Sequence, residues 1–498
     1  MLQKKLLLLF FLFRVISFKN VYCSQICRPK VAIIGAGIGG ASASYFLTEL
    51  FDKNIDIDIF ESNIVGGRLA TVKFGNKEFE AGGAIIHPRN KYMQDFVKLL
   101  NLNTTHSNDL LNDDRFGIWN GKELVVQESN YQILTLIRLI YRYGLQPFYL
   151  HRYVDSIMDD FEKIYSLQDK GIGFENVTAL IGAMNQEFVN LLQTSMKDHL
   201  IKLNYHEKII NELVEATLVV NYGQDTNVQS FVGCVSVAGA GTNLWAVNGG
   251  NKQVPELLIY KNKQISLIHS IVKRIDRIIT DNTPKYELFY HKKNEDQLTT
   301  KIYDIVIIAA PMTSDQESPI TFNNFQNSNL KFTGDYQVTY ATFIKGNANF
   351  SYFGLDEEIR GILSCNPKQT IISSISRLSS VDNKQNNQMN IWKIFSREKI
   401  NKSLINKLFR NVDEVKEKKW KAYPSYSTVP RLDKFKIDNY MYYLNAIEWA
   451  ASAMEMSAVG GRNVAILAFN DYKERCSSLK EHKSNDFNEG NNSHSSEL

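Results

Sequence analysis

The sequence predicts a mixed fold, α/β in its core and α+β overall, in which a discontinuous sheet domain carries an inserted domain of helix and sheet. Three observations predict it. The stretch KVAIIGAGIGGASASYFL, from Lys30, runs an apolar strand straight into a cluster of glycines and then into small residues suited to a helix. Ile55, Ile57 and Ile59 alternate with Asn54, Asp56 and Asp58, the two-residue period of a half-buried strand. After a long helical stretch, strand patterns return, and Tyr303 to Pro311 reads as a buried parallel strand ending at a proline.

The elements follow in order. Lys4 and Lys5 precede an apolar run from Leu6 to Phe13, and Val21-Tyr22-Cys23 offers a cleavage region, the order of a secretory signal peptide over residues 1–23. Arg14 ends the run too early for a spanning helix. Residues 28–102 read as β-α-β with glycine-rich loops, and 103–231 as mostly helical. Residues 232–312 return to short strands, 313–421 form a second mixed region, and 422–475 hold a strand and a long helix. The polar tail, 476–498, is expected to be disordered.

Composition excludes some classes. The chain has 498 residues, 44% hydrophobic and 22% charged, enough to bury a large core. A net charge of +4 is too small for a nucleic-acid footprint. Once Cys23 leaves with the signal peptide, Cys27, Cys234, Cys365 and Cys476 remain, too widely spaced for a disulfide framework; no Cys/His spacing reads as a zinc site, and no metal is expected. Sequons at Asn103, Asn176, Asn349, Asn401 and Asn491 fit a secretory glycoprotein.

The glycines carry the chemistry. Gly35-x-Gly37-x-x-Gly40, with Gly39 beside them, sits after a strand and before a helix. Gly35 permits the turn, Gly37 admits a pyrophosphate and Gly40 packs the helix against the strand. Glu61 lies 21 residues beyond Gly40, where a carboxylate accepts from ribose hydroxyls and disfavours a 2′-phosphate. Two more loops follow, Gly66-Gly67-Arg68 and Gly82-Gly83-Ala84. A nicotinamide dinucleotide needs no such additional bare backbone, whereas the extended FAD does. Arg68 offers fixed donors for phosphate or flavin oxygens.

This pattern resembles the FAD-containing amine oxidase and phytoene desaturase superfamily. Gly249-Gly250-Asn251, the strand ending at Pro311 and the segment Tyr443 to Glu448 resemble its later flavin-domain segments, placing Glu448 near the cofactor. VGGRLATV, MQDFVKLLNL, GAGTNLWAVNGGNK and EWAASAMEMSAVGG resemble the prenylcysteine oxidase, or prenylcysteine lyase, family, from about Lys30 to Ala468.

The resemblance implies an FAD thioether oxidase acting on S-farnesyl- or S-geranylgeranyl-cysteine from degraded prenylated proteins. Oxidation occurs at the carbon next to sulfur, and water addition then releases cysteine and a prenyl aldehyde. Oxygen is the final acceptor and hydrogen peroxide the by-product. It also implies a secretory route, with the lysosome the leading destination and the ER lumen or extracellular space as alternatives. A flavin oxidase for another lipid or amine, and a non-catalytic FAD-binding lipid carrier, remain open.

No catalytic side chain is assigned, and His87 is read as structural. The apolar stripe Ile133, Leu136, Ile137, Ile140 and Tyr141 has three readings: an isoprenoid slot, ordinary core packing, or peripheral membrane contact with Arg138 and Arg142.

Overall fold

The computed structural model describes residues 28–492 apart from 107–114, 242, 281, 294, 296, 314, 317, 326–329, 331, 383–388 and 430–432. The expected signal peptide lies outside the described residues.

The chain opens with β1 (Lys30–Ile34), α1 (Ile38–Leu50) and β2 (Asp56–Glu61), and α2 (Lys91–Leu100) follows. Next come α3 (Gln132–Tyr143), α4 (Gln146–Phe161), a π-turn over Ile210–Val214 and α5 (Glu215–Tyr222). The later strands include β3 (Ile265–Thr280), β4 (Ile305–Ile308), β5 (Tyr336–Ala348), β6 (Ile391–Ser396) and β7 (Met441–Tyr443). The last helix is α6 (Met454–Asn492).

Two large sheets organise the molecule. In the first, β3, β2, β1, β4 and β7 lie side by side and parallel. Val31 pairs with Ile57 on one side and Ile305 on the other, so three distant segments share one register. Helices and strands cover both faces, so β1 and β4 read as continuous apolar runs. Val31, Ile33, Ile305 and Ile307 are wholly buried, each contributing about 1.5–3 kcal/mol by burial. The second sheet runs 409–424, β5, β6, 372–377, 361–364, 116–119 and 124–127.

Two expectations change. Alternation in β2 predicted solvent-facing aspartates, and Asp56 is exposed. Asp58, however, is buried, held by the Lys301 ammonium and by the Tyr303 hydroxyl at 2.6 Å. The strand 298–303, two ladders beyond β3, brings this cation and donor, which sequence period cannot foresee. The tail expected to be disordered from residue 476 continues α6 as helix through Asn492. Its Ser, Lys and Glu residues are compatible with helix, and proline is absent from it.

Candidate active site

β1 ends at the glycine turn. Gly35 has φ +111°, which L side chains rarely adopt, and a Cβ there would lie 2.6 Å from the Ala309 carbonyl oxygen. A Cβ on Gly40 would lie 2.0 Å from the Gly35 carbonyl oxygen, so α1 approaches the turn only because residue 40 is bare. Gly39 is occupied by packing: its missing Cβ would lie 2.8 Å from Leu444 Cδ2. Gly37 differs from all three. A Cβ there meets protein only at 4.0 Å, on the Gly66 carbonyl oxygen.

The second glycine loop abuts the first. Gly37 and Gly66 form a parallel bridge, and Gly66 N–H donates to the Ala36 carbonyl at 2.9 Å. Gly67 lies against Gly37. Glu61 closes this cradle, accepting from Ala36 N–H and Asn63 N–H, both at 2.8 Å. A carboxylate has about four acceptor sites, so two bonds leave capacity for ribose hydroxyls. Gly37 caps α1 without a side-chain bond, and no acid stands in the first turn, so the helix N-terminus offers N–H groups and positive potential to an anion.

The third loop is packed on the second. A Cβ on Gly82 would lie 1.8 Å from the Arg68 carbonyl oxygen, and one on Gly83 would lie 2.8 Å from Leu69 Cδ2. Half-buried Ala84 follows. Asn251, from the double-glycine segment, holds this loop: its amide donates to the Gly83 carbonyl at 2.9 Å, and its N–H to Glu80 Oε1 at 2.7 Å.

Arg68, expected to offer fixed donors to phosphate or flavin oxygens, is engaged by protein. Its guanidinium pairs with the Glu448 carboxylate and donates to the Ala422 carbonyl at 2.8 Å and to Ser452 Oγ at 3.4 Å. Glu448 is buried. It also accepts from the Tyr336 hydroxyl at 2.6 Å and Asn445 Nδ2 at 2.9 Å. Tyr426 donates to the Glu448 carbonyl at 3.1 Å and accepts from Ser452 N–H at 2.8 Å. Burial pushes both tyrosines well above the ordinary phenol range, so they stay donors. Arg68 and Glu448 thus fasten the second loop to the C-terminal segment.

Sequence reasoning missed Tyr336, Tyr426, Ser452 and Lys393. Lys393, on β6, is buried with Nζ 3.4 Å from the Glu80 carbonyl, and burial lowers its pKa to about 8. A lone lysine in an apolar strand gives no motif. The only available signal was the aromatic density of residues 420–449. His87 Nδ1 accepts from Arg89 N–H at 3.1 Å.

These residues fit an extended dinucleotide. Two bare loops meet at Gly37, an acid sits at the strand end, and an uncompensated helix N-terminus adjoins. Two buried acceptors on neighbouring segments, Asn445 Oδ1 and Glu80 Oε2, have no donor among the described residues. Among the described residues no group of three His, Cys, Asp or Glu is placed to hold a metal ion.

Glu455, in the first turn of α6, supplies a pH test. Its carboxylate accepts from Tyr92 N–H at 2.7 Å, Met93 N–H at 3.0 Å and the Tyr165 hydroxyl at 2.8 Å, capping α2. Burial nevertheless pushes its pKa up to about 7. Between about 4.5 and 7 the folded state therefore binds more protons than the unfolded one, and this group's contribution falls as pH rises. Glu455→Gln should gain about 2–3 kcal/mol relative to the parent between pH 4.5 and 7.5. Parallel melting curves against pH for the two proteins would contradict it.

A family model described as prenylcysteine lyase matches residues 126–481, and one described as an NAD(P)-binding Rossmann-like domain matches 33–100. Prenylcysteine oxidase 1 of Rattus norvegicus is 38% identical over 454 residues, covering 88% of each chain. The Homo sapiens protein of that name is also 38% identical with the same coverage. Prenylcysteine oxidase 1-like of Bos taurus is 34% identical, over 89% of this chain and 91% of its own. Among solved structures, cyclohexylamine oxidase from Brevibacterium oxydans matches with a TM-score of 0.57 at 13% identity, over 90% of this chain and 100% of its own. That likeness establishes the fold.

Proposed function

The chain belongs to the prenylcysteine lyase family, and from that premise we propose that it is an FAD-dependent oxidase of prenylcysteine. It cleaves the thioether of S-farnesyl- or S-geranylgeranyl-cysteine with oxygen and water, giving cysteine, prenyl aldehyde and hydrogen peroxide. The observation that carries the reading is the 38% identity to prenylcysteine oxidase 1 across 88% of the chain, beside a Rossmann-like match over 33–100 that spans all three glycine loops.

FAD, when bound, supplies the hydride acceptor. The chain supplies binding and orientation. Gly37 and the N–H groups of the first turn of α1 would hold the pyrophosphate, and Glu61 the ribose hydroxyls. Gly66, Gly67, Gly82, Gly83 and Ala84 would give close backbone passage to the rest of the cofactor, with Gly35, Gly39 and Gly40 allowing the turn and its packing. Arg68 and Glu448 would fix the two segments on either side. Residues 28–102, 232–312 and 422–475 form the FAD-binding part in this reading, and 103–231 and 313–421 the substrate part.

The same reading includes a secretory route through residues 1–23, glycosylation at exposed sequons, the lysosome as leading destination, and peripheral contact with a membrane.

The test is anaerobic. Protein lacking residues 1–23 should show an oxidised flavin band that S-farnesylcysteine bleaches, with peroxide appearing when air is admitted. A band that S-farnesylcysteine leaves oxidised, but that an alkyl amine bleaches, would overturn the substrate assignment.

A further inference from the structure

We propose that α3 and the start of α4 form a docking surface for an anionic phospholipid bilayer. The inference rests on the prenylcysteine reading for its choice of occupant. It rests on the fold for its surface.

The apolar stripe of α3 faces outward. Ile133 is 67% exposed and Tyr141 93%, and Leu136, Ile137 and Ile140 between them are exposed as well. Tyr143 is the one buried residue of that helix. This corrects two of the sequence readings: the stripe neither fills a core nor lines a closed slot. The patch continues into α4, where Phe148 is 57% exposed. A stripe at i, i+3, i+4, i+7 and i+8 ordinarily packs inward, and an outward one of this size marks an interaction surface.

Charge selects the partner. Residues 129–153 contain Arg138, Arg142, Arg152 and His151 and no aspartate or glutamate. Arg138 lies beside the stripe, its Nη1 donating to the Gln127 carbonyl at 3.1 Å. Arg142 is paired with Glu212 at 2.6 and 2.7 Å, and His151 lies 3.4 Å from Asp155. Apolar and aromatic residues flanked by arginine, on a helix lying along the surface, match the headgroup boundary of a bilayer. Among the described residues no helix is long and apolar enough to cross a membrane, so the contact is peripheral. A prenyl thioether partitions into lipid, so a lipid surface is also where its oxidase meets it.

The patch is mechanically tied to the site. Arg142 and the Tyr143 hydroxyl both hold Glu212 in the π-turn, which leads directly into α5. α5 ends at Tyr222, whose ring lies 5.1 Å from Tyr423 and 5.4 Å from Tyr426, and whose hydroxyl donates to the Ser452 carbonyl at 3.2 Å. One short helical unit thus joins the surface to the residues around Glu448.

The experiment is vesicle flotation with the flavin-loaded protein lacking residues 1–23. Vesicles of phosphatidylcholine alone and with phosphatidylserine are compared, using the parent and an Ile137→Glu/Tyr141→Glu variant. The parent should float with the anionic vesicles and the variant should bind them at least tenfold more weakly. Flavin reduction by S-farnesylcysteine in detergent should stay within twofold of the parent, because neither residue belongs to the site. Equal flotation of parent and variant would overturn the proposal, as would a parent that ignores vesicles but forms a dimer that the variant dissolves. Because flotation needs no turnover, failure of the substrate reading leaves this result interpretable.

Discussion

Alanine at Gly37 is expected to strip flavin from an otherwise intact protein, whereas alanine at Gly40 is expected to damage the protein itself. The two positions are three residues apart in one turn, yet their surroundings differ. Gly37 has φ −73° and ψ −177°, a conformation open to any residue, and its Cβ would meet no protein atom closer than 4.0 Å. The added methyl would therefore stand in the space through which a pyrophosphate reaches the backbone. Gly37→Ala should leave the melting temperature of the apoprotein unchanged and weaken FAD binding by about 100-fold, the scale of an unrelieved steric contact of about 3 kcal/mol.

Gly40→Ala puts its methyl 2.0 Å from a backbone oxygen that has no flexible end to move aside. The turn must shift, at a cost of about 1–3 kcal/mol or more, which outweighs the ~1 kcal/mol that alanine otherwise adds in a helix. The flavin-to-protein absorbance ratio and the melting temperature of stripped protein separate the two effects. A Gly37→Ala protein that keeps its full complement of flavin would remove the cradle from this account.

The glycine loops were legible because they are local. A turn that needs bare backbone needs glycine, and Gly35, Gly37, Gly40, Gly66 and Gly82 announce themselves in short spacings. Glu61 was legible for the same reason, as the acid closing the next strand. What surrounds them was not. Tyr336 meets Glu448 across 112 residues, and Arg68 meets it across 380. No window of sequence contains such a pair, and tyrosine or arginine alone has too many uses to be singled out.

The α3 stripe shows a different limit. Its period established an apolar face, but period says nothing of what the face meets, and only the packed fold turned it outward. Asp58 fell to the same limit in reverse, since alternation placed it in solvent and a later strand covered it.

Replacing Arg68 by methionine is expected to cost about 3 kcal/mol of stability, most of it from the charge left behind. Glu448 is 1% exposed, and without the guanidinium its carboxylate keeps only the Tyr336 hydroxyl and the Asn445 amide. Breaking a buried pair typically costs about 3–5 kcal/mol, and the lower end applies because the Arg68 side chain is 32% exposed and partly screened. A fall in Tm of roughly 3 °C should follow.

The uncompensated buried carboxylate, and not a mere loss of packing, is the expected source of that cost. Removing both partners tests the same point from the other side. Arg68→Met/Glu448→Gln leaves no buried charge, and it should be more stable than Arg68→Met alone, with a coupling of about 2 kcal/mol in the double-mutant cycle. Additive losses would mean that the two residues act separately, and the pair could not then be what holds the Gly66-Gly67 loop to the segment before α6. With coupling, both variants should also bind FAD more weakly than the parent, because each has lost the guanidinium that joins the Gly66-Gly67 loop to Glu448, Ala422 and Ser452.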